Sequence, residues 1–226
     1  MDAKTIRIVQ SMIKKYLPKS TFFDTSLLVV YAYFFWLMLK LTWQYIPVRS
    51  DVAFLMIKQT VVSRVGFYLP VFYLHVYSAI FVLLAGFTQF SLPLLRKYVV
   101  LHRILGRVYA FTVMFVAAPT GIIMGFYANG AWHTQFCFVL LGLLWFLFTL
   151  IGTIAIRRGQ VVRHRAFMAR SFALAVSAIT LRAWKVVIVY FFHTAPMDTY
   201  QIIAWLGWIP NLLIAEYYFI KKTPVI

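Results

Sequence analysis

The chain has 226 residues, of which 63% are apolar and only 12% charged, where a soluble domain carries about 25%. A mean hydropathy of +0.85 with 19% aromatics excludes an ordinary soluble domain and leaves one integral membrane bundle as the natural unit. The net charge of +17 would point to nucleic acid in a soluble protein, but these cations flank apolar runs, so topology explains them and a nucleic-acid partner is excluded.

Residues 1–25 are basic and lack the apolar stretch of a cleavable signal, so the first membrane helix is expected to act as its own insertion signal. Within them Ile6, Val9, Ile13 and Leu17 recur at helical spacing with lysines between, which predicts an amphipathic helix lying on anionic lipid headgroups. Six apolar runs then qualify as spans: 26–45, 67–95, 104–128, 133–156, 167–193 and 200–220. The second and fifth are long enough to tilt. The connection over 47–66 is the longest on its side, with room for a surface helix around 52–62, whereas 129–132 and 194–199 are short and make their spans antiparallel neighbours.

Orientation follows from the 22 Lys and Arg residues. One side collects Lys4, Arg7, Lys14, Lys15 and Lys19, then Arg96, Lys97, Arg103 and Arg107. The same side takes Arg157, Arg158, Arg163, Arg165 and Arg170, and Lys221 and Lys222 in the tail over 221–226. The opposite side has only Arg49, Lys58 and Arg64. Both termini are therefore expected in the cytoplasm, flanking an all-α bundle of six transmembrane helices over 26–220 whose core comes from spans two to five.

Three stripes at steps of three and four residues supply that core. They are His75, Ala79, Val82, Gly86 and Gln89; Phe138, Gly142, Trp145, Thr149 and Gly152; and Ser171, Ala175, Ala178, Arg182 and Lys185. Small residues let helices approach and polar ones seek partners across the interface, so these faces should meet. Packing accounts for the Gly and Ala positions but not for His75, Arg182 or Lys185. A cation deep in a span is costly and marks a functional site. At 1.5 Å per residue, His75 and Lys185 lie about 12 Å below the outer boundary and Arg182 about 16 Å. With no acid at that depth, the three compose a site for an anion or an electron-rich head group.

A second cluster, His102, Arg103, Arg107, His164, Arg165 and Arg170, gathers at the cytoplasmic face, where anionic lipid headgroups are the expected partners. Glu216 is the acid available there and should pair with Arg107 or Arg170. The His-Arg pairs that introduce spans three and five also suggest that spans two–three and four–five are related hairpins. Histidines on facing helices can ligate haem iron, with basic residues on the propionates. Two pairings are open: His75 with His133 near the outer face, and His102 with His164 near the inner. Met124 is another partner for His75 by depth. That arrangement resembles the two-haem, six-helix cytochrome b561 architecture.

Cys137 is the one cysteine, so no intrachain disulfide forms. A Walker loop, a His-Glu-x-x-His pair, a Cys-x-x-Cys pair and a nucleophile elbow are all missing from the sequence. The scarcity of carboxylates within the spans disfavours an ion-coupled carrier and a cation channel with acidic rings.

The strings HRILGRVY from His102, HRAFMARS from His164, Thr180-Leu181-Arg182 and WIPNLLIAE from Trp208, with His75 and Gln89, resemble the bacterial membrane family catalogued as domain of unknown function 2306, over roughly residues 70–220. The resemblance implies a multi-pass protein of the bacterial inner membrane and directs attention to His75, His102, Arg107, His164, Arg170, Arg182, Asn211 and Glu216. It implies no activity. Three functions are therefore carried forward. The first is a membrane electron-transfer protein that binds haem b or a quinone as part of an oxidoreductase. The second is a transporter or sensor of an anionic or lipidic ligand, and the third an assembly scaffold.

Overall fold

The computed structural model describes residues 21–90 and 98–217, and everything below concerns these. The described residues form helices and no strands. In chain order they are α1 (Thr21–Trp43), a 3-10 turn (Ala53–Lys58), α2 (Gln59–Arg64), α3 (Tyr68–Gln89), α4 (Val99–Thr112), a π-helical turn (Val113–Ala117) and α5 (Ala118–Phe126). Then follow α6 (Ala131–Arg157), α7 (Val161–Ala175), α8 (Ser177–Phe192), α9 (Pro196–Leu206) and α10 (Ile209–Ile214). Three stretches are long and apolar enough to cross a membrane: Tyr68–Gln89, Val99–Phe126 and Ala131–Arg157. A fourth is reached if α7 and α8, bent by 43°, count as one span. Within α1, Val29–Trp43 is an apolar stretch.

The centre of the bundle is built by α3, α4 with α5, α6 and α7, with α6 packed most extensively on α7 and α5. Glycines set the closeness of α5 and α6. A Cβ on Gly125 would lie 3.0 Å from the Val139 backbone nitrogen, and one on Gly142 would lie 2.6 Å from Ile122 Cγ1. Polar side chains bridge the remaining contacts. Ser171 Oγ on α7 meets the Tyr109 hydroxyl at 2.8 Å and Thr149 Oγ1 at 2.7 Å, joining α4, α6 and α7 at a buried point. On the flank, the Tyr31 hydroxyl of α1 donates to the Leu83 carbonyl at 2.7 Å, and its ring stacks on Phe87.

Proline explains the π turn. In an α-helix residue 119 would donate to the Phe115 carbonyl, but Pro119 has no N–H and its ring clashes with that carbonyl. The chain widens just before it, with Ala118 N–H reaching back to the Val113 carbonyl. The Ala117 carbonyl, at the end of that turn, lies 2.9 Å from His75 Nδ1 and accepts from the Thr120 hydroxyl at 3.2 Å.

The end of the bundle that carries the connection over 44–67, termed outer after the topology expected from sequence, with the opposite end inner, is closed by a second cluster. Leu55, Tyr68, Phe72 and Tyr73 are buried there beneath the connection over 44–67. The Tyr73 hydroxyl donates to the Arg49 carbonyl and accepts from the Arg49 N–H, both at 2.8 Å, while Tyr77 donates to the Tyr45 carbonyl at 2.7 Å. The connection is thus pinned to α3, and its helical part is a 3-10 turn running into one short α-helix.

Several boundaries differ from the sequence expectation. The second span stops as a helix at Gln89, and 91–97 lie outside the described residues. The third begins earlier, at Val99. The fifth is not one long tilted helix: it starts at Val161 and breaks at Val176. The last is also broken, between Leu206 and Ile209, with Pro210 opening the second piece. Hydropathy averages over such breaks, because the residues on both sides are equally apolar. The amphipathic segment over 1–20 and the tail over 221–226 lie outside the described residues.

Candidate functional site

A cavity of about 200 Å³ lies at the middle of the bundle's outer half, between α3, α5, α6 and the α7–α8 bend. Its walls include Ala79 and Val82 of α3, Gly121 and Met124 of α5, Gly142 and Trp145 of α6, and Ala175 and Ala178 beside the bend. The space follows from the small residues of the three stripes, which leave room where larger side chains would fill it.

His75 is the central polar group. Its Nδ1 lies 2.9 Å from the Ala117 carbonyl and 3.3 Å from Thr120 Oγ1. A carbonyl only accepts, so in the neutral ring Nδ1 carries the proton and Nε2 is left as an acceptor. That carbonyl belongs to the last residue of the π turn, and Gly121 lets the ring approach, since a Cβ there would be 3.0 Å from His75 Cε1.

Lys58 closes the outer side, and no pattern in the sequence marked it. Its side chain lines the cavity although it belongs to the outer connection, and the residue is only 3% exposed. The ammonium donates to the Tyr127 carbonyl and, at 2.5 Å, to Asn129 Oδ1, and it lies 5.9 Å from the Phe54 ring centroid. No carboxylate pairs with it among the described residues. Burial pushes its pKa below the ordinary lysine value. Sequence reading counted Lys58 only as a topological charge, because a short 3-10 turn offers no periodicity from which to infer an inward side chain.

Arg182 and Lys185 do not join the core as expected. Both are exposed on α8, and the Arg182 guanidinium donates to the Ala178 carbonyl of its own helix at 2.5 Å. The bend at Val176 is the reason: the stripe was extrapolated along a straight helix, and α8 swings away from the line of α7. His133 does not line the cavity; it sits at the start of α6 against the Trp132 ring at 6.0 Å. Gln89 is at the inner end of α3, where its Oε1 would lie 2.9 Å from a Cβ on Gly106.

At the inner face, His102 and His164 come close enough for their charges to interact. His164 Nδ1 lies 2.8 Å from the Gly152 carbonyl, and His102 Nδ1 is buried without a hydrogen-bond partner among the described residues. Arg103 and Arg107 are exposed and Arg165 is half-buried. Glu216 pairs with Arg170 rather than Arg107: Arg170 donates from Nε to Oε2 at 3.0 Å and from Nη2 to Oε1 at 2.9 Å. The side chains are 21% and 41% exposed, between a buried and a surface pair. Arg170→Ala should therefore cost about 1–2 kcal/mol in a denaturant titration in micelles. The swap Arg170→Glu with Glu216→Arg should recover part of that loss.

No group of three or more metal-ligating side chains forms among the described residues. The cavity holds one histidine, and its volume is below the roughly 300–1,000 Å³ of clefts for drug-sized ligands. The residues around His75 therefore do not fit a haem held by two histidines.

These features define a helical membrane protein with a partly open, mostly apolar cavity carrying a few polar groups. The chain belongs to the family described as predicted membrane protein (DUF2306), whose model matches residues 72–219. The match takes in α3 to α10 and leaves out α1 and Lys58. No curated protein and no solved structure matches the chain.

Proposed function

We propose that the protein is a binding protein of the bacterial inner membrane, acting as a carrier or sensor, that takes a small amphipathic ligand into the cavity beside His75. The observation that carries the reading is the cavity itself: apolar walls with His75 on one side and Lys58 on another. Ligand sites combine these features, with a few polar groups fixing orientation. A 150 Å³ apolar cavity accommodates benzene, so about 200 Å³ suits a single ring with a small head group. A quinone head group falls in that size class, which keeps an electron-transfer role within the same site.

The proposed topology is six crossings: α1, α3, α4 with α5, α6, α7 with α8, and α9 with α10, with both termini cytoplasmic. The cation asymmetry supports it, since Arg157, Arg158, Arg163 and Arg165 then share one side. Exposed Arg103 and Arg107 would meet anionic headgroups there.

The test is fluorine NMR of fluorobenzyl alcohol with the detergent-purified protein. Saturable binding is expected, and Ala79→Trp, which fills the cavity, should abolish it. Equal signals from wild type and Ala79→Trp would overturn the reading.

A further inference from the structure

Lys58 is a cation placed where a cation is hard to keep. It is almost fully buried, it lines an apolar cavity, and its neighbours are neutral: a backbone carbonyl, an asparagine side chain and an aromatic ring. An ammonium has three N–H donors, and the Tyr127 carbonyl and Asn129 Oδ1 occupy two. The third has no partner among the described residues. A buried ammonium without a counter-ion either sheds its proton or gains an anionic partner that keeps it charged. The cavity is also lined by His75, which donates its Nδ1 N–H to the Ala117 carbonyl and has no second N–H while neutral.

We infer that Lys58 is the head-group residue of this cavity and that the ligand is a small carboxylate, aromatic or short-chain, whose anionic end meets the free N–H of Lys58. The inference rests on the ligand-binding reading above and names its chemical class. The apolar part of the ligand then lies along Val82, Leu141 and Leu174, and the carboxylate supplies the counter-charge that no residue of the described chain provides. Tyr127 and Asn129 act as positioning residues, since they hold the ammonium at the cavity wall rather than in water. The connection carrying Lys58 is fixed by Leu55, which is fully buried, and by the Phe54 N–H donated to the Tyr45 hydroxyl at 3.3 Å. The cation therefore sits on an anchored turn.

The experiment compares fluorobenzoate with fluorobenzyl alcohol, which share a ring and differ in charge, on the full chain in detergent. Wild type, Lys58→Met and Lys58→Arg are titrated by fluorine NMR. Removing one partner of a desolvated charge pair costs about 30-fold or more in affinity. Lys58→Met should lose fluorobenzoate by that factor while keeping fluorobenzyl alcohol, which also shows that the variant is folded. Lys58→Arg should retain preference for the acid. Should wild type bind acid and alcohol alike, with Lys58→Met unchanged for both, the role of Lys58 is overturned while the cavity stands. If neither compound binds wild type, the ligand-binding reading falls and this inference with it. Should Lys58→Met fail to fold, the Lys58→Arg variant decides: loss of acid preference there overturns the inference.

Discussion

Replacing Gly125 with leucine is expected to destabilise the bundle by about 3 kcal/mol or more, measured by denaturant unfolding in mixed micelles. The reason is what a side chain at this position would strike. A Cβ on Gly125 would sit 3.0 Å from the Val139 backbone nitrogen and 3.2 Å from the Phe138 carbonyl carbon. A flexible neighbour could turn aside, but a helix backbone cannot, so α5 and α6 must separate. Close approach through small residues is a main source of attraction between helices in a bilayer. Gly125→Ala should already cost about 1–3 kcal/mol. Gly66→Ala is the control, because a Cβ there meets nothing within 4 Å, and its effect should stay within about 0.5 kcal/mol. Equal stability of Gly125→Leu and wild type would mean that α5 and α6 are not in this contact.

The second large effect is expected at Asn211. Its Nδ2 has two N–H groups to share among the Ala173 carbonyl at 3.1 Å, the Gly207 carbonyl at 3.1 Å and Thr180 Oγ1 at 2.9 Å. These acceptors surround two helix breaks, the one at Val176 and the one between α9 and α10. A broken helix at membrane depth is tolerated only where other groups satisfy the backbone. Thr180 also donates to Gly207, so the Ala173 carbonyl is the group most dependent on Asn211. Asn211→Leu should cost about 2–3 kcal/mol. Asn211→Asp should do no better, because an ionised carboxylate offers acceptors where donors are needed. The check is the same unfolding titration, with ligand affinity as second readout, since Ala175 and Ala178 beside the bend wall the cavity. A fully stable Asn211→Leu protein would show that the breaks are held by something else.

Much of the bundle's centre was legible because it rests on side-chain size. His75, Ala79, Val82, Gly142, Trp145, Ala175 and Ala178 stood out at helical spacing and do line one cavity. The pairing of Glu216 followed from the scarcity of acids, although choosing Arg170 over Arg107 required the packing of α10 on α7. Arg182 and Lys185 were misplaced because periodicity assumes a straight helix, and no proline announces the bend at Val176. Lys58 was passed over for the opposite reason: its position depends on the tertiary anchoring of a short turn by Leu55 and Tyr73, which leaves no periodic trace.

The π turn over Val113–Ala117 amounts to one residue inserted into a helix of otherwise constant pitch. Deleting a single residue there would rotate all that follows by about 100°. Gly121, Met124 and Gly125 would face elsewhere, yet composition, hydropathy profile and number of spans would be unchanged. The spacing between Val99 and Phe126 is thus itself part of the cavity's geometry. Two chains of this kind with the same profile but differing by one residue in that interval would enclose different cavities, and counting that interval separates them more sharply than their overall resemblance does.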